Sequence, residues 1–356
     1  MSDRLAAIRG CFEAWEVDGL LITSGSNRRW ASGFTGSAGR LLITRDRAIL
    51  STDSRYWEQA ERQAPDYELY RHRDEKDDTR QFLALGGVAR IGIEARHVTL
   101  MEHDALAGQE GISWVPLPAT VEPLRAVKSA EELEAIRAAA RITDQAVAEV
   151  PQLARPGMTE AAVAWEIEKF MREAGATSLA FDIIVASGPN SALPHHRPGN
   201  RVLQPGDIVI VDLGAAVDGY KSDLTRTFYL GQSPDDRFWE IYNTVQQAQL
   251  AAIEGIGPGV VGKVVDALAR DLITAAGHGE HFGHGTGHGV GLDIHENPRF
   301  GKLADDVIIP VGAVMTVEPG IYLSGYGGVR IEDLILVTPQ GHQYLSHAPK
   351  SPLIPL

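Results

Sequence analysis

The sequence predicts an α+β protein of two domains, the first over residues 1–122 and the second over 123–356. Three observations predict it. At 356 residues the chain exceeds what a single hydrophobic core usually organises. Up to about residue 120, short β-type runs alternate with helical stretches, the pattern of a small α/β domain. Beyond that point a long amphipathic helix is followed by glycine-punctuated strands that group as hairpins.

In the first domain the β runs are Gly19-Leu-Leu-Ile-Thr23, Leu41-Leu-Ile-Thr44 and Arg90-Ile-Gly-Ile-Glu94. A linker is expected at Glu122-Pro-Leu-Arg125. After it, Ser129-Ala-Glu-Glu132 is a capping box, in which hydroxyl and carboxylate each satisfy the other residue's backbone N–H. The helix it opens carries Leu133, Ile136, Ala140 and Val147 at helical spacing.

Asp207-Ile-Val-Ile-Val-Asp-Leu-Gly214 reads as a strand interrupted by Asp212, and a lone carboxylate is costly to bury. The next turn explains the placement. Asp218-Gly219 is a two-residue hairpin loop, linking this strand to Tyr220-Lys-Ser-Asp-Leu-Thr-Arg-Thr-Phe-Tyr229. If the loop is tight, Val217 pairs with Tyr220, so Asp212 lies opposite Thr225 and diagonal to Asp223. Diagonal neighbours on one sheet face are roughly 7–8 Å apart, so the two carboxylates can converge on shared cations.

The same plan recurs further on. Glu318 ends the apolar run Ala313-Val-Met-Thr-Val317, and Glu332 lies between Gly327-Gly-Val-Arg-Ile331 and Asp333-Leu-Ile-Leu-Val337. Between the two pairs, Phe282-Gly-His-Gly-Thr-Gly-His-Gly-Val-Gly-Leu-Asp-Ile-His295 has no helical preference, so His284, His288 and His295 sit on loop or strand. Four carboxylates and one imidazole, Asp212, Asp223, His288, Glu318 and Glu332, make a hard, oxygen-rich donor set suited to two divalent ions. Manganese fits first, with cobalt or zinc also suitable.

Composition removes other classes. A formal charge of −14, from 33 basic and 47 acidic residues, argues against nucleic-acid or anionic-membrane partners. One cysteine, Cys11, excludes a disulfide framework and a cysteine zinc site. With no basic segment preceding an apolar core at the N-terminus and no run of membrane-spanning length, a cytoplasmic location is expected.

The blocks Val211-Asp-Leu-Gly-Ala215, Ser222-Asp-Leu-Thr-Arg-Thr227, His284-Gly-Thr-Gly-His-Gly-Val-Gly291, Val317-Glu-Pro-Gly-Ile-Tyr322 and Gly328-Val-Arg-Ile-Glu-Asp333 resemble the signatures of the "pita-bread" metallopeptidases. Within that family they look most like the proline-specific branch, Xaa-Pro aminopeptidase and Xaa-Pro dipeptidase (prolidase). Gly33-Phe-Thr-Gly-Ser-Ala-Gly39 and Thr52-Asp-Ser-Arg-Tyr-Trp57 resemble the creatinase/prolidase N-terminal domain. The two resemblances cover nearly the whole chain.

The resemblance implies that Asp212 holds one metal, that Asp223 and Glu332 bridge both, and that His288 and Glu318 complete the other. Glu318 would also shuttle the proton of the activated water. By its match to a Leu-Pro-His element, His195 would line the substrate site with His284 and His295, while Tyr322 and Arg330 stand behind the ligands. Family members build a homodimer through the N-terminal domain, so Arg55, with Trp30 or Tyr56, is a candidate for substrate selection across that boundary. His196, His278 and His281 read as exposed loop histidines.

The activity expected is hydrolysis of an N-terminal Xaa-Pro bond, as an Xaa-Pro aminopeptidase acting on peptides with proline second. The alternative is a dipeptidase confined to Xaa-Pro. Methionine aminopeptidase shares the ligands but lacks such an N-terminal domain, and non-enzymatic binding proteins of the fold lose the ligands. A phosphate-cradling role for the glycine-rich segment lacks the strand-to-helix context.

Overall fold

The computed structural model describes residues 2–73, 78–304 and 307–356. The chain forms two compact units, Met1–Arg125 and Ala126–Leu356.

The first unit is built on a six-stranded mixed sheet in the order Glu68–Arg71, Ala48–Thr52, Arg40–Thr44, Gly19–Ile22, Arg90–Glu94 and Ser113–Leu117. Gly19–Ile22 is buried throughout, as expected of a central strand covered on both faces. At the end of the neighbouring strand the Glu94 carboxylate accepts from the backbone of Thr23 (2.6 Å) and Ser24 (2.8 Å) and from Asn27 (2.7 Å). The segment expected as a linker is instead a short helix, Glu122–Ala126. Pro123 falls in its first turn, where a missing N–H costs nothing, and Glu122 accepts from the Thr120 amide at 2.6 Å.

The second unit opens with the helix Ala130–Leu153, and its capping box forms as the sequence predicts, with Ser129 N to Glu132 Oε2 at 2.7 Å and Glu132 N to Ser129 Oγ at 3.3 Å. Its face of Ile136, Ala139, Ala140, Ala146 and Val147 is buried. Two sheets carry the candidate site. One has the order Leu353–Ile354, Leu224–Leu230, Ile208–Leu213 and Ile184–Ser187. The other runs Glu296–Phe300, Gly287–Gly289, Val314–Val317, Asp333–Thr338 and Gly341–Tyr344. The helices Asp236–Glu254 and Gly262–Ala275 share an apolar core with Met315, Val317, Ile335 and Val337. Among the described residues no helix is long and apolar enough to cross a membrane.

The first hairpin has the expected register. Asp218 (φ 47°) and Gly219 (φ 71°) both occupy the left-handed region that its two-residue turn requires. Val217 pairs with Tyr220 and Asp212 with Thr225, in one register that resumes across a break at Gly214. A Cβ at Gly214 would lie 2.1 Å from the Ser222 carbonyl, so only glycine allows the strands to approach there.

The second pair is more elaborate than one turn between two strands. Val317 pairs with Asp333, then Pro319 interrupts the ladder, and Gly320–Leu323 pairs with Gly327–Arg330 as a separate two-stranded sheet in the same register. Glu318 and Glu332 therefore face one another at the break. The breaks in the ladders carry Asp223 in the first hairpin and Glu318 and Glu332 in the second, while Asp212 lies in the paired strand beside the first break.

Candidate metal centre

Asp212, Asp223 and Glu332 each offer a carboxylate oxygen, and these atoms all lie within 4.8 Å of one another. Asp223 and Glu332 are buried and Asp212 is nearly so. His288 reaches the same spot from the strand Gly287–Gly289, its Nε2 3.3 Å from Glu318 Oε1 and 3.6 Å from Asp223 Oδ2. That strand lies tight against its neighbour, since a Cβ on Gly287 would lie 2.0 Å from the Thr316 carbonyl. All five residues singled out from the sequence thus converge.

The orientation of His288 decides what the cluster can hold. Its Nδ1 is 3.0 Å from the Gly289 carbonyl, which can only accept, so Nδ1 carries the hydrogen. Burial, with His295 and Arg299 nearby, pushes its pKa down to about 3, so the ring is neutral and Nε2 presents a lone pair. A lone pair facing two carboxyl oxygens requires something positive between them, either a proton or a metal ion.

Asp212 supplies a second sign. Its Oδ2 accepts from Arg330 Nη2 at 2.7 Å, but its Oδ1 is buried with no hydrogen-bond partner. An orphaned buried oxygen inside a ring of acids is what a cation ligand looks like before its cation is considered. Glu332 is oriented by Thr225 Oγ1 at 2.7 Å, and Glu318 by Thr316 Oγ1 at 3.2 Å. The residues fit oxygen-preferring divalent ions, with hydrogen bonds holding these carboxylates from behind.

Without a cation these charges are unfavourable. Burial, then Glu332, Asp212 and Glu318, drives the Asp223 pKa well above the usual carboxylate range; burial, then Glu318 and Asp212, does the same to Glu332. Burial also raises Glu318 to about 8. The cation-free native state therefore holds protons that the unfolded chain has released above about pH 4.5. Its stability falls as pH rises through the native values. His288 at about 3 and His284 at about 4 act oppositely, losing stability as pH falls below 6.5. Between pH 6.5 and 8 only the carboxyl effect operates. Thermal unfolding in chelator should show a midpoint that declines over this window, and added manganese should abolish the decline; a midpoint rising with pH in chelator would contradict the assignment.

Arg330, 3% exposed, links the centre to the histidines. Its Nη1 donates to Tyr322 Oη (2.9 Å) and Pro194 O (3.3 Å), and its Nε to Thr225 Oγ1 (3.1 Å). His284 Nδ1 lies 2.8 Å from the Gly285 carbonyl, so the Tyr322 hydroxyl donates to His284 Nε2 at 2.9 Å. Both nitrogens of His284 are thereby used. His295 packs edge-on to His288, with ring centroids 4.5 Å apart, and is exposed, as is His195.

Three supports escaped the sequence reading. Arg270 pairs with Asp266 and donates to the carbonyls of Phe282 (2.9 Å) and His284 (2.7 Å), fixing the glycine-rich segment. Arg226, paired with Asp333 at 2.8 Å, donates to the Glu332 carbonyl and so ties the two hairpins together. The third is His196. It is not an exposed loop histidine, because its side chain is 15% exposed and lies 2.8 Å from the fully buried Glu160. Arg226 and Asp333 lie inside the signature blocks, which was the available signal; nothing in the sequence pairs His196 with Glu160.

His281 does lie at the surface turn Gly279–His281, but His278, which precedes that turn, is not an exposed loop histidine: its side chain is 12% exposed and lies 3.4 Å from Glu240 Oε1. In the first unit Arg55 is 67% exposed in its side chain, pairs with Asp53 at 2.9 Å and covers the Tyr56 ring. Trp30 is buried, with the Arg4 guanidinium over its ring.

Residues 134–339 match the model of metallopeptidase family M24, and residues 4–127 match the creatinase/prolidase N-terminal domain. An uncharacterized peptidase of Bacillus subtilis, YqhT, is 42% identical over 353 residues, 99% of each chain. Among solved structures, an Xaa-Pro dipeptidase from Bacillus anthracis superposes with a TM-score of 0.95 at 42% identity, covering 99% of both chains. An X-Pro aminopeptidase from Thermotoga maritima gives 0.89 at 35% identity, covering 99% of this chain and 100% of that one.

Proposed function

The chain belongs to metallopeptidase family M24, and on that premise we propose that it hydrolyses Xaa-Pro bonds with two divalent cations held by Asp212, Asp223, His288, Glu318 and Glu332. The observation that carries the reading is the convergence of a neutral His288 lone pair and buried acids on one point. Asp212 would serve one cation, Asp223 and Glu332 both, and His288 with Glu318 the other. When bound, the cations supply Lewis-acid chemistry, acidifying a water and polarising the scissile carbonyl. Manganese is the first choice for so oxygen-rich a set.

The remaining steps belong to side chains. Glu318 takes the proton as the water oxygen bonds to the carbonyl carbon, and returns it to the proline nitrogen as the C–N bond breaks. That nitrogen carries no hydrogen in the substrate, so nothing can hold it by accepting from it. Orientation falls to the carbonyl and to the proline ring. His195 and His295 have no hydrogen-bond partner among the described residues and can meet the substrate, whereas His284, with both nitrogens engaged, holds Tyr322 and shapes the wall. A homodimer and a cytoplasmic setting are part of the proposal; Cys11, the sole cysteine, is unpaired.

The sequence alone favoured an aminopeptidase, but one observation now favours a dipeptidase. Arg299 pairs with His288 across the ladder, is exposed, has no ion-pair partner among the described residues, and acts electrostatically on both His288 and His295. It is a cation available for the free carboxylate of a C-terminal proline, which only a dipeptide presents at that position. The dipeptidase name of the Bacillus anthracis structure supports the same choice.

With manganese loaded, Xaa-Pro should be hydrolysed faster than Xaa-Pro-Yaa. Arg299→Ala should raise KM for the dipeptide roughly ten- to a hundredfold, the worth of a charge-assisted hydrogen bond. Tripeptides cleaved as well as dipeptides, with Arg299→Ala silent, would return the aminopeptidase reading.

A further inference from the structure

Glu160 is the first residue of the helix Glu160–Glu173 and has no exposed surface, yet it accepts five hydrogen bonds. Its Oε1 takes the Ser187 amide (2.8 Å), Ser187 Oγ (2.8 Å) and Asn190 Nδ2 (3.0 Å). Its Oε2 takes His196 Nε2 (2.8 Å) and the Gly199 amide (3.2 Å). Every donor belongs to one segment, residues 187–199, which leaves the strand Ile184–Ser187 and carries His195. A buried carboxylate with that many donors is an anchor, and the segment is what it anchors.

Within the segment the His196 amide donates to the Leu193 carbonyl at 3.2 Å, closing a four-residue turn. Pro194 occupies its second position, where a fixed φ suits the turn, and His195 its third. The turn is held at two points. Pro194 O accepts from Arg330, the same arginine that holds Asp212, and His196 is clamped by Glu160. Between the two, His195 is exposed and near enough to His284 and His295 to affect both electrostatically.

From this geometry we infer that His196 is a positioning residue, whose pairing with Glu160 sets the turn so that His195 is presented to the substrate. The inference rests on the proposed role of His195. Because Arg330 fixes only one side of the turn, loss of the clamp leaves His195 free to swing about the Pro194 anchor. The ligands lie on other elements and keep their own supports, Thr225 for Glu332 and Thr316 for Glu318.

The test is a mutant cycle on the manganese-loaded protein, with metal content and unfolding midpoint measured beside the kinetics. His196→Ala should lower kcat/KM about tenfold, the scale of a small misplacement of a substrate-orienting group, with two ions per chain retained. His196→Gln, whose side-chain amide can still donate to Glu160, should recover most of the loss. In a His195→Ala background, His196→Ala should cost less than about twofold more, because residues acting through one contact are not additive.

Wild-type kinetics for His196→Ala, loss of metal from it, or an undiminished effect in the His195→Ala background would each overturn the inference while leaving the proposed role of His195 standing. Wild-type kinetics for His195→Ala would overturn that role, and the inference with it.

Discussion

Asp223→Ala is expected to abolish both metal retention and turnover, lowering kcat/KM by on the order of a thousandfold or more. Asp223 lies in the middle of the cluster, within reach of Asp212, Glu332 and His288. The informative companion measurement is stability in chelator. Burial and three neighbouring acids penalise the charged form of Asp223, so its removal relieves the cation-free fold. At pH 8 the variant should unfold at a temperature equal to or above that of the wild type, while gaining nothing from manganese. Glu332→Ala should behave the same way, less the Thr225 hydrogen bond it forfeits. A variant that is inactive but still stabilised by manganese would contradict the role assigned to Asp223.

The second large effect lies one residue beyond the proposed ligand Glu332. Asp333→Ala should destabilise the second unit by roughly 3–5 kcal/mol, the usual consequence of stripping one partner from a buried ion pair. The Asp333 carboxylate accepts from Arg226 (2.8 Å), Lys350 (2.6 Å), Gln249 (2.8 Å) and Ser346 (3.0 Å), and both Arg226 and Asp333 are 2% exposed. Its loss leaves Arg226 without its anion. In a unit of this size the unfolding midpoint should fall by roughly 6–20 °C. Arg226 also donates to the carbonyls of Thr225 and Glu332, so metal affinity should weaken in the folded variant. Burial opposes ionisation of Asp333, but Arg226 and Lys350 outweigh it and hold its pKa below 3.8. Its contribution is therefore complete above that pH and lost as pH falls below it. An unfolding midpoint within a degree or two of the wild type would contradict the structural role of this cluster.

Much of the centre was legible because turn chemistry and strand alternation are local. Asp218-Gly219 fixed the register of the first hairpin, and with it the convergence of Asp212 and Asp223. The capping box at Ser129 likewise marked the start of its helix to the residue. What could not be read depended on tertiary contacts between distant segments. Arg226 reaches Asp333 across 107 positions and His196 reaches Glu160 across 36, distances over which no periodicity carries information. The extra hairpin between Glu318 and Glu332 was compressed to a turn because Pro319 hides the continuity of the ladder on either side of it. Arg299 was missed for a related reason: only the pairing of its strand with Gly287–Gly289 brings it beside His288.

The measurement that bears most directly on the metal centre is calorimetric titration of the chelator-treated protein with manganese at pH 7, in two buffers of different ionisation enthalpy. Two ions per chain should bind, and protons should be released, because Asp223, Glu332 and Glu318 hold protons in the cation-free state that bound cations displace. Absence of binding, or binding without proton release that persists in Asp223→Ala, would contradict the assignment of these residues as the metal site.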